Sequence, residues 1–404
     1  MSLFRSTTVH NTDLGHDAWG RSKAITDKSL FNGLFSFDVP ASQWKELQWD
    51  GSDYIEKPAF VNATSVEGSL HLTTSANVGE NTELRSKHHH RYQANRGHLY
   101  SSSIFLPNPN AQSTRRFGLM LPCNGVFLEL VGTGSSYTLN LVVRNHFVDT
   151  PYDITSFIPA GVDLSKGNLF DIQMQWRGVG DFTVFINQER IFTTSELGLR
   201  DKVSIENPSL PVGFELINDG DESKIVCGCV DVTSEGGSGV QARYASFSTG
   251  ESLVSTPAAS SAVLAIRMPY KINYGGNDVC YSRDAILNQV STFCKDEATV
   301  AIYGGRAVNL TALPALTWET RPDTHIEFLV GGTGSALDTA FQTDKASLGG
   351  MVFLRQEKDF LVRTANPNPE ATELRLTAND YLIIVVDPDA ATASGVTIEV
   401  SEQI

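Results

Sequence analysis

The 404-residue chain has no run of about 18 apolar residues, the length a helix needs to cross a bilayer, and its longest apolar run, Tyr381-Leu-Ile-Ile-Val-Val, is strand-sized. No membrane insertion is expected. Positive charge is scarce as well, with 31 Lys and Arg against 46 Asp and Glu and a net charge of −15. Nucleic-acid binding draws its affinity from clustered cations facing phosphates, so this balance argues against a nucleic-acid partner. Cysteine is sparse and odd in number: Cys123, Cys227, Cys229, Cys280 and Cys294. That set cannot build the dense disulfide framework of small secreted domains, and reduced thiols are expected. The opening Met1-Ser-Leu-Phe-Arg-Ser lacks the basic-then-apolar layout of a secretory signal.

Recognisable chemistry is missing too. Gly331-Gly-Thr-Gly-Ser lacks the Lys-Ser/Thr ending of a phosphate loop, and no Gly-x-Ser-x-Gly nucleophile elbow occurs. Cys227-Gly-Cys229 has no second pair to complete a tetrahedral zinc site. In an extended strand both sulfurs would point to one face and pack as small hydrophobes. No cofactor is expected.

What is present is a period of two. In Phe170-Asp-Ile-Gln-Met-Gln-Trp-Arg, the apolar Phe170, Ile172, Met174 and Trp176 fall on one face and the polar residues on the other. This is a strand that covers a core on one side. Val126/Leu128/Leu130, Tyr137/Leu139/Leu141/Val143 and Phe182/Val184/Ile186 repeat the pattern, with Gly132-Thr-Gly-Ser, Gly178-Val-Gly and Asn187-Gln as turn material between them. No long amphipathic helical pattern is interposed, so the fold class is all-β: two antiparallel sandwiches, jelly-roll or immunoglobulin-like, preceded by an irregular N-terminal arm.

Four divisions follow. Residues 1–80 crowd Trp19, Phe31, Phe35, Phe37, Trp44, Trp49 and Tyr54 among polar connectors and read as a docking arm. Residues 81–240 form the first sandwich. Residues 241–261 read as a linker, because Gly, Ser, Thr and Ala dominate from Ser234 to Ser261 and bury little. Residues 262–404 carry short β-like runs, among them Thr324–Val330 and Tyr381–Val386, for a second sandwich. Arg283–Cys294 fits either a helix or a loop plus strand, and the latter is preferred.

Several motifs occur in a fixed order: Asp17-Ala-Trp-Gly-Arg, Leu84-Arg-Ser-Lys-His-His-His-Arg-Tyr-Gln-Ala-Asn-Arg-Gly, Thr114-Arg-Arg-Phe-Gly-Leu-Met, Asn124-Gly-Val-Phe-Leu-Glu-Leu, Gln175-Trp-Arg-Gly-Val-Gly, Pro211-Val-Gly-Phe-Glu-Leu-Ile-Asn and Ser234-Glu-Gly-Gly. Together they resemble a family of tailed-bacteriophage virion structural proteins, with Trp19 standing where that family has Phe. The resemblance runs over most of residues 10–240. It implies a structural component of the tail, neck or capsid surface rather than an enzyme, assembled in the host cytoplasm with copies of itself and other virion proteins as partners. Asp17, Trp19, Gly20 and Arg21 are then the interface candidates, Trp19 filling a pocket while Arg21 clamps a carboxylate.

Other readings stay beside it. A host-glycan-binding adsorption module is the alternative, since lectin-like sandwiches present aromatic side chains such as Tyr152 or Tyr270 beside polar loops. A polysaccharide depolymerase is the third, but β-sandwich glycosidases place two carboxylates at alternate positions of one strand. The nearest acidic groups, Asp219/Asp221/Glu222 and Glu357/Asp359, sit at strand ends and read as turn residues. His88 and His90 share one side of an extended run and are the metal candidates, but the cationic neighbours Lys87 and Arg91 and the lack of an acidic partner set that reading aside. The basic residues Arg85, Lys87, Arg91, Arg96, Arg115 and Arg116 are expected to pair with acidic strands or a sister subunit.

Overall fold

The computed structural model describes residues 28–403, apart from 50–53, 176–180, 195–203, 236–241, 255–259, 281–284, 357–360, 366–374 and scattered stretches of one to three residues. The chain divides into two units, Met1–Gly239 and Val240–Ile404. In the first unit lie β1 (Lys28–Leu34), β2 (Trp44–Trp49), β3 (Tyr54–Glu56), β4 (Ala63–Val66), β5 (Ser69–Thr73), β6 (Asn81–Ser86), β7 (His98–Phe105) and β8 (Ser113–Met120). They are followed by β9 (Asn124–Gly132), β10 (Tyr137–Asn145), β11 (Val148–Asp153), β12 (Asn168–Met174), β13 (Phe182–Ile186), β14 (Glu189–Thr193), β15 (Val212–Asn218) and β16 (Lys224–Ser234).

These strands make two eight-stranded antiparallel sheets. One runs β14-β13-β12-β7-β16-β5-β4, with β1 also on β16; the other runs β11-β10-β9-β8-β15-β6-β2-β3. The sheets face each other across a core in which Phe117 of β8 meets Phe170 of β12 edge-on at 5.1 Å, and Trp44 of β2 meets Phe31 of β1 at 5.4 Å. Alternation explains the choice of face: Phe170, Ile172 and Met174 are buried inward, as are Leu128, Leu130, Leu139 and Leu141. Tight turns join the hairpins. Glu67-Gly68, His146-Phe147 and Asn187-Gln188 each hold positive φ at both central positions, the conformation whose twist matches that of the flanking strands.

The second unit contains β17 (Ala242–Ser248), β18 (Ser252–Val254), β19 (Ser261–Arg267), β20 (Lys271–Tyr274), β21 (Asn277–Cys280), β22 (Ala285–Cys294) and β23 (Ala298–Arg306). After them come β24 (Glu319–Arg321), β25 (Thr324–Val330), α1 (Ala336–Asp344), β26 (Gly349–Gln356), β27 (Leu361–Ala365), β28 (Arg375–Leu376), β29 (Asp380–Pro388) and β30 (Thr392–Gln403). Two six-stranded sheets, one with β17-β30-β22-β27 and one ordered β24-β25-β19-β29-β23-β26, enclose a core that includes Leu264, Val300, Ile384 and Ile398. Phe341 of α1 packs with Ile383 and Val385 of β29 in a second cluster. No described helix is long and apolar enough to cross a membrane.

The all-β reading holds, with corrections to its parts. Residues 28–73 are not a loose arm but supply β1–β5 to both sheets of the first sandwich. The expected linker 241–261 carries β17 and β18, both paired with β30. Arg283–Cys294 is strand from Ala285 onward, in line with the preference for loop plus strand over helix. The helix α1 went unforeseen because its apolar positions are few; Ser335 caps it by accepting a hydrogen bond from the Asp338 N–H. Cys227 and Cys229 do not share a face, because the pairing of β16 with β7 shifts between Cys227 and Val230. That bulge buries Cys227 and exposes Cys229.

Candidate functional site

Residues directly opposite one another on paired strands share a face, so the pairing register traces rows of side chains across a sheet. On the face of the β11-to-β3 sheet turned away from the core, one row crosses all eight strands: Glu56, Leu47, Glu83, Glu215, Arg116, Glu129, Asn140 and Asp153. Seven gaps of ~4.8 Å make it roughly 34 Å long. The neighbouring row holds Lys45, Arg85, Gly213, Gly118, Phe127, Val142 and Pro151.

Ion pairs interlock along the first row. Arg116 donates from Nε to Glu129 and from Nη1 to Glu215, each at 2.8 Å. The remaining Glu215 oxygen accepts from the Asn81 amide at 2.6 Å, and Asn140 donates to Glu129 at 3.3 Å. Arg85 forks onto both oxygens of Glu83 at 2.6 Å. Burial opposes the charge of Arg116, but Glu215 and Glu129 overcome it and hold the guanidinium above its ordinary value. Burial raises the Glu83 carboxyl despite Arg85, with the Glu215 charge adding to the rise. The row is closed at its middle, where Glu83 and Glu215 are 3% and 2% exposed, and opens towards Asn140 and Asp153. Hydrogen bonds from Thr155 hold the Asp153 carboxyl below its ordinary range.

Two glycines shape the neighbouring row. A Cβ on Gly213 would lie 2.7 Å from Met120 Cγ, and one on Gly118, whose φ is +151, would lie 2.6 Å from Phe127 Cα. Met120, Phe127 and Val142 close over that gap as a small apolar cluster. Arg144 stacks over Phe127 at 4.9 Å while forking onto Asp149. At the edge where β11 and β14 end their sheets, Tyr152, Phe157 and Phe192 form an aromatic group with ring centroids 5.9 and 5.7 Å apart, and Phe157 is half exposed.

A second convergence joins motifs far apart in sequence. Glu235 accepts from the Gly97 N–H at 2.9 Å and from the Gln175 amide at 3.0 Å, while its carbonyl accepts from Arg96 at 2.8 Å. A Cβ on Gly97 would fall 2.6 Å from Gln175 Nε2 and 3.1 Å from Glu235 Cδ, so a larger residue there would push these two side chains aside. This carboxylate staples the ends of β7, β12 and β16.

The sequence candidates fall as follows. Asp17, Trp19, Gly20 and Arg21 lie outside the described residues, as do Trp176, Tyr270, Glu357 and Asp359. His88 and His90 do not extend β6, which ends at Ser86 before a bend; His90 instead bonds through its N–H to the Leu210 carbonyl at 2.9 Å and stacks on Phe31. Asp219 and Asp221 accept hydrogen bonds from Thr114 and from the Gln112 N–H, which fixes them as turn residues. Arg115 donates to the Pro107 and Asn108 carbonyls. Glu83, Glu129 and Glu215 were missed. Their signal was a single charged residue at the outward position of each apolar strand, and only the pairing register unites them.

No family model and no curated protein matches the chain. Among solved structures, a β-1,3-glucanase from Mycobacterium marinum aligns at 16% identity and a TM-score of 0.37, covering 51% of this chain and 98% of its own. A structure from work on endo-acting O-glycanases of the human gut microbiota aligns at 13% identity and 0.39, covering 51% and 99%. A Bacteroides ovatus mixed-linkage glucan family 16 glycoside hydrolase in complex with a product aligns at 15% and 0.36, covering 50% and 99%. The likeness is one of fold. The expectation that this chain is no enzyme is withdrawn, since hydrolases are among the structures that share its fold.

Proposed function

We propose that the chain is a glycan-recognising β-sandwich protein that serves host adsorption on a bacteriophage particle. The row from Glu56 to Asp153 carries this reading: a polar strip crossing a whole sheet and open at Asn140 and Asp153, while the aromatic group of Tyr152, Phe157 and Phe192, with Tyr152 paired to the inward Leu141, closes the edge of that sheet on its core side. Carboxylates accept hydrogen bonds from sugar hydroxyls, and amides both accept and donate them. Fixed acceptors cost little ordering on binding, and the Arg116 clamp supplies that rigidity for Glu129. The particle context is supported by the ordered motifs of residues 10–240, several of which supply members of the row or of the Glu235 staple.

A second reading, hydrolysis of a surface polysaccharide, is favoured by one observation. Glu83 and Glu215 stand directly opposite on β6 and β15, and burial raises the Glu83 carboxyl. A facing pair of carboxyl groups, one with a raised pKa, is what glycoside hydrolysis uses. The fork from Arg85 onto Glu83 opposes that role.

Three measurements test these readings together. A glycan array with the full chain should show binding that Asp153→Asn weakens. A reducing-sugar assay on host envelope material separates binding from hydrolysis, which Glu83→Gln or Glu215→Gln would abolish. Mass spectrometry of purified particles tests the virion context. An array with no hits would refute the glycan reading.

A further inference from the structure

Resting on the glycan reading above, we infer that the ligand carries no negative charge: the strip takes neutral or amine-bearing oligosaccharides and rejects polyuronates, sialylated chains and sulfated chains. The argument is one of charge and of occupied donors. The row contains five carboxylates, Glu56, Glu83, Glu215, Glu129 and Asp153, against one guanidinium, Arg116. Two further cations, Lys45 and Arg85, lie in the neighbouring row, but both are buried, and Arg85 is committed to Glu83.

Recognition of an anionic sugar calls for a free guanidinium fork, since paired N–H groups match a carboxylate or sulfate. Among the described residues of this row and the neighbouring one, no guanidinium keeps such a fork free. Arg116 has turned its Nε towards Glu129 and its Nη1 towards Glu215. Arg144, at the next cation along this face, spends Nε and Nη2 on Asp149 and Nη1 on the Leu121 carbonyl. Of the described groups that remain open, the ionised Asp153 only accepts, and the half-buried Asn140, with one N–H committed to Glu129, offers its Oδ1 as a further acceptor. They call for donors on the ligand, which hydroxyl and ammonium groups supply and carboxylate or sulfate groups do not. A like charge brought beside the exposed Asp153 meets repulsion.

Isothermal titration of the full-length protein with three hexasaccharides of one chain length tests the inference: a neutral β-glucan, a chitosan carrying free amines and an alginate carrying carboxylates. The neutral or the amine-bearing hexamer should bind, and the alginate should bind at least about tenfold more weakly. Asp153→Asn should weaken the chitosan more than the neutral hexamer, and raising salt should weaken the chitosan while leaving the neutral hexamer unchanged. Alginate binding as tight as either of the others would overturn the charge inference while leaving the glycan reading in place. Failure of all three to bind would overturn both.

Discussion

Arg116 is the residue on which the outer strip depends, because its two bonded nitrogens neutralise carboxylates from strands on either side. Removing it takes from Glu215, only 2% exposed, the guanidinium that donates to it at 2.8 Å. Breaking one partner out of a buried pair costs about 3–5 kcal/mol. The 18% exposure of the Arg116 side chain puts Arg116→Met at the lower end, near 3 kcal/mol. Arg116→Lys keeps the charge but cannot reach both carboxylates with a planar fork, so urea denaturation should place it between the parent and Arg116→Met. His98 responds to pH rather than to pairing. Burial lowers its pKa from 6.5 to about 4, against smaller opposite contributions from the Arg91 backbone and Glu235. The neutral ring is thus favoured in the folded state: its stability is fully present above pH 6.5 and is lost as pH falls through about 4. The whole gap corresponds to about 3 kcal/mol. Stability measured between pH 7 and 4 should fall more steeply in the parent than in His98→Gln, and equal slopes would show that other groups carry the acid sensitivity.

At the scale of the element, β8 shows how one strand serves both faces. Phe117 and Leu119 point into the core, whereas Thr114, Arg116 and Gly118 pair in register with residues of the outer face. Gly118 holds φ at +151, and its missing side chain lets Phe127 approach. Gly118→Ala combines a strained backbone, worth about 1–3 kcal/mol, with a clash against main-chain atoms that cannot swing away. It should lower the melting temperature more than Gly134→Ala, which shares the backbone strain at φ +90 but whose added Cβ would lie at an ordinary 3.4 Å or more from Gln112. Equal melting temperatures would mean that β8 bends to relieve the contact. Such elements also mark how far the sequence is legible. The inward faces of β9, β10, β12 and β13 are readable because apolar residues alternate there without interruption. The five strands of residues 28–73 are not, because β1 and β2 carry polar residues at inward positions and their aromatics suggest an arm. The outer strip is invisible for a different reason. Each strand shows one charge that looks like ordinary solvated polarity, and the strip exists only once the register sets Glu83 beside Glu215 and Arg116 beside Glu129. The bulge in β16 likewise leaves no trace beyond Gly228 between the two cysteines.

For the whole molecule, the question is where one folding unit stops and the next begins. Composition places the second unit after residue 261, because the preceding stretch is rich in Gly, Ser and Ala. Pairing places it near Val240 instead, since β17 runs along β30 from Ala242 opposite Gln403 to Ser248 opposite Thr397. Phe247 of β17 is 1% exposed and lies in the same core as Ile398 and Val400. Among the described residues every paired strand finds its partners within its own unit. A fragment of residues 240–404 should therefore fold and melt cooperatively at the temperature of its transition in the full chain. A fragment of residues 262–404 loses β17 and β18, strips Phe247 from the core and lays bare one edge of β30. Loss of a buried aromatic alone costs about 3–5 kcal/mol, and an open edge invites association between copies. Circular dichroism and sedimentation should show the shorter fragment unfolded or aggregated where the longer one is a folded monomer. If both fragments melt alike, β17 and β18 contribute nothing to the second unit, and the boundary that composition suggests is the physical one.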